Sequence, residues 1–165
     1  MSTTNDNLRA AFAGESQANR RYLAFAEAAE KEGYPQIARL FRAAAAAETV
    51  HAHSHLRTLG EVKSTAENLQ TAIQGENYES VSMYPQFIEV AKAEGNSKAL
   101  RSFEYALEAE KIHENLFRQA LETQASAQEE YDYYVCPICG HTVARSAPEK
   151  CPVCGVKGEK FQLIH

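Results

Sequence analysis

The sequence predicts an all-α four-helix bundle followed by a small metal-binding module of loops and short strands. Three observations lead there. Long stretches place apolar residues at alternating steps of three and four; much of the first half of the bundle recurs 62 residues later; and all four cysteines fall between 136 and 154 as two Cys-x-x-Cys pairs. The boundary between the two parts is expected near residue 130, giving 1–130 and 131–165.

Helix one carries Leu8, Phe12, Glu15, Tyr22, Ala26 and Ala29 on one stripe, and Gly33 with Pro35 stops it and restarts the chain. Ile37, Phe41, Ala44, Glu48, His51 and His55 form the stripe of helix two, whose run of five alanines would let a neighbouring helix come close before Gly60 ends it. Ser64-x-x-Glu67 is a capping box opening helix three, whose Ile73, Glu76, Met83, Phe87 and Val90 lead to Gly95. Leu100, Phe103, Leu107, Glu110, His113, Phe117 and Leu121 make helix four. Residues 123–130 read as a fraying end or linker, and 131–165 lose helical period altogether.

A chain of 165 residues with 44% hydrophobic content can bury a core. Its net charge of -5, without Lys/Arg blocks, gives no electrostatic footprint for nucleic acid or an anionic membrane. The opening MSTTNDNLRAAF lacks the basic and apolar regions of a secretory signal, and no stretch approaches the ~18 apolar residues of a membrane span, so a cytoplasmic protein is expected. Cysteines clustered in such a chain favour metal thiolates over disulfides.

At the constant offset of 62, Tyr22 matches Tyr84, Phe25 matches Phe87, Glu32-Gly33 match Glu94-Gly95, Phe41 matches Phe103, and Glu48 and His51 match Glu110 and His113. Two copies of one helical hairpin therefore make the bundle. Glu15, Glu48, Glu76 and Glu110 lie on stripes otherwise apolar, where an unpaired charge costs several kcal/mol. Each Glu-x-x-His pair follows its interhelical glycine by 15 residues, while Glu15 and Glu76 precede those glycines by 18 and 19, so folding each hairpin brings its glutamates to similar depth. One Glu from each of two helices and Glu-x-x-His from each of the other two is the ligand set of di-iron and di-manganese carboxylate bundles. Glu79 shares the face of Glu76 and is a seventh candidate; Gln17 holds the position 62 residues earlier. Tyr22 and Tyr84 either fill core or hydrogen-bond a ligand carboxylate. His55 reads as a core or supporting residue, and His53, His141 and His165 as solvent-facing.

The repeat slips by one residue in helix three: Glu15 to Tyr22 is seven residues, Glu76 to Tyr84 eight. A single-turn π-bulge between 76 and 84, close to Pro85, would absorb the extra residue and help turn Glu79 towards the metals. Cys136, Cys139, Cys151 and Cys154, as CPICG and CPVCG, would bind one tetrahedral metal, and spacing alone does not separate zinc from iron there. A segment of about 35 residues has little core of its own, so the metal is a condition of its folding.

GESQANRRY, AETVH, GENYESVSMYP, AEKIH and the YYVCPICG to CPVCG tail together resemble the rubrerythrin family across essentially the whole chain. The resemblance implies a ferritin-like bundle with two non-haem irons and a rubredoxin-like domain with one tetrathiolate iron. It also implies a peroxidase that reduces hydrogen peroxide to water in oxidative-stress defence. Electrons would come from rubredoxin or an NAD(P)H-dependent rubredoxin-type reductase. By that resemblance Glu48 and Glu110 bridge the irons, Glu76 and His113 hold one and Glu15 the other, His51 and Glu79 alternate on the second, and Tyr22 and Tyr84 support them from outside. A head-to-tail homodimer follows from the same likeness. A ferritin-like ferroxidase, or a non-enzymatic bundle with a structural zinc ribbon, are the competing readings.

Overall fold

The first helix begins where the chain supplies its own cap. The Thr3 hydroxyl accepts the Asp6 N–H at 3.1 Å while the Asp6 carboxylate accepts the Thr3 N–H at 2.8 Å, satisfying two of the backbone donors a helix start leaves open. In the computed structural model, which describes residues 2–126 and 129–165, α1 then runs Thr4–Lys31. Gly33, at φ 83°, turns the chain and Pro35 opens α2 (Pro35–Thr58), its missing N–H harmless in a first turn. Ala26 and Ala29 of α1 face Ala38 of α2 with Phe41 packed against them, and small residues there let the two helices approach closely. Of the alanine run only Ala45 is fully buried; Ala38 and Ala52, seven residues to either side, complete the buried row. Asn19 ties the pair by donating to the Ala45 carbonyl at 2.7 Å and to the Thr49 hydroxyl at 2.8 Å. Contacts divide the chain into two units, and this hairpin, residues 1–63, is the first.

The second unit, residues 64–165, opens with the expected capping box, in which the Ser64 hydroxyl accepts from Glu67 N–H and Glu67 reaches back to the Ser64 N–H. Helix three of the sequence is one helical rod in three parts: α3 (Thr65–Tyr78), a π-helical turn (Glu79–Met83) and α4 (Tyr84–Ala93). Within the π turn the Tyr84 N–H reaches back five residues to the Glu79 carbonyl. Pro85 follows at the start of α4, where its lack of a donor is tolerated. The rod packs on α5 (Ser97–Thr123), and Asn77 on α3 donates to Glu114 on α5, which also pairs with Arg118 at 2.6 Å. The expected linker 123–130 follows the last residue of α5; its residues 127 and 128 lie outside the described residues.

The tail is a three-stranded antiparallel sheet of order β2-β1-β3, with β1 Tyr133–Val135, β2 Thr142–Ala144 and β3 Gln162–Ile164. Its two cysteine loops are copies of each other. Gly140 N–H bonds to Cys136 O and Gly155 N–H to Cys151 O, while Cys136 N–H bonds to His141 O and Cys151 N–H to Val156 O. Gly140 and Gly155 sit at φ 77° and 76°, a conformation other residues rarely adopt. The module's buried core is Cys136, Cys139, Cys151 and Phe161, with Tyr105 of α5 packed against it. Three of its four buried side chains are thus thiols, so a metal here would be part of the core.

Gly158 is a second place where the backbone forbids a side chain. Its N–H donates to the Glu149 carbonyl at 2.8 Å, and a methyl built on it would collide with the Pro148 carbonyl oxygen. Gly158→Ala should destabilise the module by about 1–3 kcal/mol through overpacking. Faster release of the cage metal to a competing chelator, with the helical circular dichroism unchanged, is the expected readout.

Candidate metal centres

In the first hairpin the helical period does the positioning. Glu48 and His51, three apart on α2, point the same way, and His51 Nδ1 lies 2.9 Å from Glu48 Oε2. Glu15 reaches across from α1, with Oε2 4.0 Å from the same nitrogen. Glu15 shares a hydrogen bond with Glu48. That bond first, then burial and the Glu48 charge, raise the Glu15 pKa, whereas the bonds from Glu15 and His51 lower that of Glu48. Of the two acids, Glu15 therefore holds its proton the more tightly.

The second hairpin repeats this arrangement more deeply buried. His113 Nδ1 is 2.7 Å from Glu110 Oε2 and 3.8 Å from Glu76 Oε2. Burial first, then the hydrogen bond and charge of Glu110, raise Glu76 to about 7, while Glu110 is lowered chiefly by His113. The hydrogen bond to Glu110 raises His113, against burial, and the Gly140 carbonyl adds to it. The far nitrogen of His113 is held as well. Its Nε2 lies 3.0 Å from the Thr142 hydroxyl, which donates onward to the Gly140 carbonyl at 3.0 Å. A proton on Nε2 fits that chain, so that when a cation replaces the Nδ1 proton donated to Glu110, the Nδ1 lone pair is the one left to bind it.

The four sulfurs stand as a cage. Cys136 and Cys154 Sγ are 3.5 Å apart, as are Cys139 and Cys151 Sγ. Metal–sulfur bonds of about 2.3 Å in a tetrahedron place sulfurs about 3.8 Å apart, so a small expansion takes this cage to a loaded one. Burial raises the Cys139 thiol. Burial also acts to raise Cys151, but the backbone N–H groups of Cys154 and Val153 aim at its sulfur and bring it down to about 7.

The structure thus brings together Glu15, Glu48 and His51 in one cluster, Glu76, Glu110 and His113 in a second, and the four cysteines in a third, each with its donor atoms within 4.8 Å of one another. Glu79 stands outside these clusters. It begins the π turn, is raised first by burial and then by the Glu110 charge, and so faces the second cluster from one step away. Tyr22 packs on Phe41 with ring centroids 6.1 Å apart, and Tyr84 on Phe103 at 6.3 Å; burial and then the charges of Glu110, Glu79 and Glu76 raise the Tyr84 phenol. His55 is half-buried, and its charge reaches Glu15. His53 is exposed, and His165 pairs with Asp132 at 3.2 Å on the surface.

His141 corrects an expectation: it is 6% exposed, not solvent-facing. It follows the glycine of the first cysteine loop, its carbonyl closes that loop, and its N–H points at the Cys139 sulfur, so the ring is carried inward. Burial, then the charge of His113, lower its basicity, and its Nδ1 has no partner among the described residues. Thr142 is the contact to the second cluster that sequence reasoning missed. Nothing local marks it, because its partner His113 lies 29 residues earlier on another element.

The donor sets fit metals: four thiols in a closed cage suit a tetrahedral thiophilic ion, and two Glu, Glu, His triads suit first-row divalent ions. No helix among the described residues is long and apolar enough to cross a membrane. Two family models match the chain. The rubrerythrin family model matches residues 6–121, and that of the rubrerythrin rubredoxin-like domain matches residues 134–162. The chain is 44% identical to rubrerythrin-2 of Clostridium acetobutylicum, over 98% of this chain and 96% of that one. It is 39% identical to nigerythrin of Nitratidesulfovibrio vulgaris, over 93% and 83%. A solved structure of fully reduced, all-ferrous nigerythrin aligns with a TM-score of 0.61 at 38% identity, covering 99% of this chain and 88% of that one. Helical hairpins with repeated carboxylate and histidine donors, a four-cysteine tail and these matches along nearly the whole length place the chain in the rubrerythrin family.

Proposed function

We propose that the protein is a non-haem di-iron peroxidase, reducing hydrogen peroxide to two waters with two electrons and two protons. Residues 1–130 would hold the di-iron bundle and 131–165 the electron-carrying thiolate domain. When bound, a ferrous pair supplies the two electrons that cleave the O–O bond, and the thiolate iron supplies them back singly. The observation that carries the proposal is the pairing of two near-identical carboxylate and histidine clusters with a four-thiolate cage on one chain. Iron storage alone gives the cage no task.

The proposed roles are those the family likeness implies, and the placement of the side chains supports them. Glu48 and Glu110, each hydrogen-bonded to a histidine and to a second carboxylate, are the bridging candidates, with Glu15, Glu76 and His113 completing the resting ligands. His113 is clamped through Nε2 by Thr142, whereas the His51 side chain is 56% exposed. That difference suits His51 as the ligand that leaves and Glu79, on its π turn, as the carboxylate that replaces it. Tyr22 and Tyr84 would steady the carboxylates. Rubredoxin or an NAD(P)H-dependent rubredoxin-type reductase is the proposed donor, a head-to-tail homodimer the proposed assembly, and the cytoplasm the proposed compartment.

Two experiments test this. Cys139→Ser should abolish the red thiolate–iron absorption and cut steady-state turnover with a rubredoxin-type reductase at least tenfold, yet leave single-turnover oxidation of the diferrous protein by peroxide intact. Glu48→Ala should do the reverse, keeping the red colour and losing the peroxide reaction. Wild-type turnover in the cysteine variant would end the relay reading, and mineralisation of many irons per chain would favour a ferroxidase.

The second experiment uses the protons. Glu76 keeps its proton up to about pH 7 in the metal-free fold, whereas an unfolded chain releases it near 4.5. Folding therefore holds extra protons between those values, so the apo protein should lose stability as pH rises from about 4.5 to about 7. Loading a divalent metal must displace that proton, so apparent affinity should climb over the same window and level off above it. Calorimetric titration in two buffers of different ionisation enthalpy should show proton release at pH 6 and much less at pH 8.

A further inference from the structure

Resting on the reading of the clusters as metal sites, one face of α5 carries a link between the second cluster and the thiolate cage. Tyr105, Ala109 and His113 stand at steps of four and so line one side of the helix. The tail meets that side at all three. Tyr105 packs against the cysteine core. Ala109 is buried, and a side chain begun at Gly140 would stand 3.6 Å from its methyl, so the first cysteine loop lies flush on the helix there. His113 Nε2 lies 3.0 Å from the Thr142 hydroxyl. The His113 ring thus faces two ways, with Nδ1 toward Glu110 and Glu76 and Nε2 toward the tail.

That hydroxyl is placed by the loop that carries Cys136 and Cys139. The loop leaves β1 at Val135 and returns on β2 at Thr142, the register partner of Val135. Cys136 N–H donates to the His141 carbonyl at 2.9 Å and Gly140 N–H to the Cys136 carbonyl at 3.0 Å, which closes it. The Gly140 carbonyl accepts the Thr142 O–H at 3.0 Å, leaving a lone pair of the same oxygen for a proton on His113 Nε2. Both sulfurs of the loop are buried in a core that is largely thiol, so a metal in the cage is what holds this shape. The first hairpin shows the same helical face without a tail on it. At the offset of 62 the matching residues are Ala43, Ala47 and His51, all exposed, and the His51 side chain is 56% exposed against 28% for His113.

We infer that Thr142 is a positioning residue that couples the two kinds of centre. Filling the thiolate cage sets its hydroxyl, the hydroxyl fixes the ring and tautomer of His113, and the carboxylate cluster then binds its metal more tightly. Coupling of this kind is reciprocal, so metal in the carboxylate cluster tightens the cage by the same factor. Loss of a group that orients a metal-binding histidine typically costs about 10–100-fold in affinity, which puts the gain at about tenfold.

Manganese titrations of the full chain test it. Wild type, Thr142→Val and Thr142→Ser are each prepared with one equivalent of zinc in the cage and with the cage stripped, and Mn(II) binding is followed by electron paramagnetic resonance. Zinc should raise manganese affinity about tenfold in the wild type and in Thr142→Ser, but less than twofold in Thr142→Val. Manganese should in turn hold the cage zinc about tenfold more firmly against a zinc-selective chelator in the wild type, and not in Thr142→Val. The valine keeps the bulk of the side chain and still covers the α5 face, so a gain that came from burial alone would survive in it. Cadmium–thiolate absorption shows whether the valine variant builds its cage, and Thr142→Ala repeats the test should it not. Equal manganese affinity with the cage full and empty in the wild type, or an undiminished gain in the variant without the hydroxyl, would overturn the coupling and leave the metal reading of the clusters standing. A wild type that binds no manganese in either state would overturn both.

Discussion

Two carboxylates in hydrogen-bond contact need a proton or a cation between them. Each hairpin sets this condition once, with Glu15 against Glu48 and Glu76 against Glu110, and each adds a histidine three residues along from one of the pair. Without metal the hydrogen bond between them, joined at Glu76 by burial, raises one acid of each pair, and hydrogen bonds from its partner and the histidine lower the other. With metal the answer is a divalent ion, and the donors are already gathered for it. The alanine rows that bring α1 and α2 together, and the Asn19 and Asn77 ties between helices, hold those like charges in place against their repulsion.

The tail has the same dependence in another chemical form. Its core is largely sulfur, and its regular structure is three strands of three residues each and a single short 3-10 turn. Backbone N–H groups at His141, Val153, Cys154 and Val156 point at sulfurs, so the loops are shaped to receive thiolate charge and then to hand it to a metal. Tyr105 and the Thr142 to His113 bond fasten this module to α5 at the level of the second cluster.

Much of this was legible in the sequence because helices write their contacts locally. The three-and-four spacing fixed the helical rods, Gly33, Gly60 and Gly95 their ends, and the 62-residue repeat picked out four ligand candidates, to which distance from the glycines added Glu15 and Glu76. Even the π turn could be foreseen, since one surplus residue between Glu76 and Tyr84 must go somewhere. What stayed hidden depends on contacts between distant elements. Thr142 meets His113 across 29 residues, and His141 is buried by the folding of a loop whose residues show no period. The identity of the metal was open for a different reason: zinc and iron accept the same four sulfurs.

The π turn also marks where the two hairpins stop being copies. Their aromatic triads match at a constant offset, yet Glu76 stands one residue out of step. A helix that gains a residue inside a packed interface either breaks or widens by one bond, and widening at Glu79–Met83 kept both flanks of the rod in register. The two halves are thereby unequal: the wider turn sets an additional acid, Glu79, beside the donors of one hairpin, whereas the other has Gln17 at the matching position.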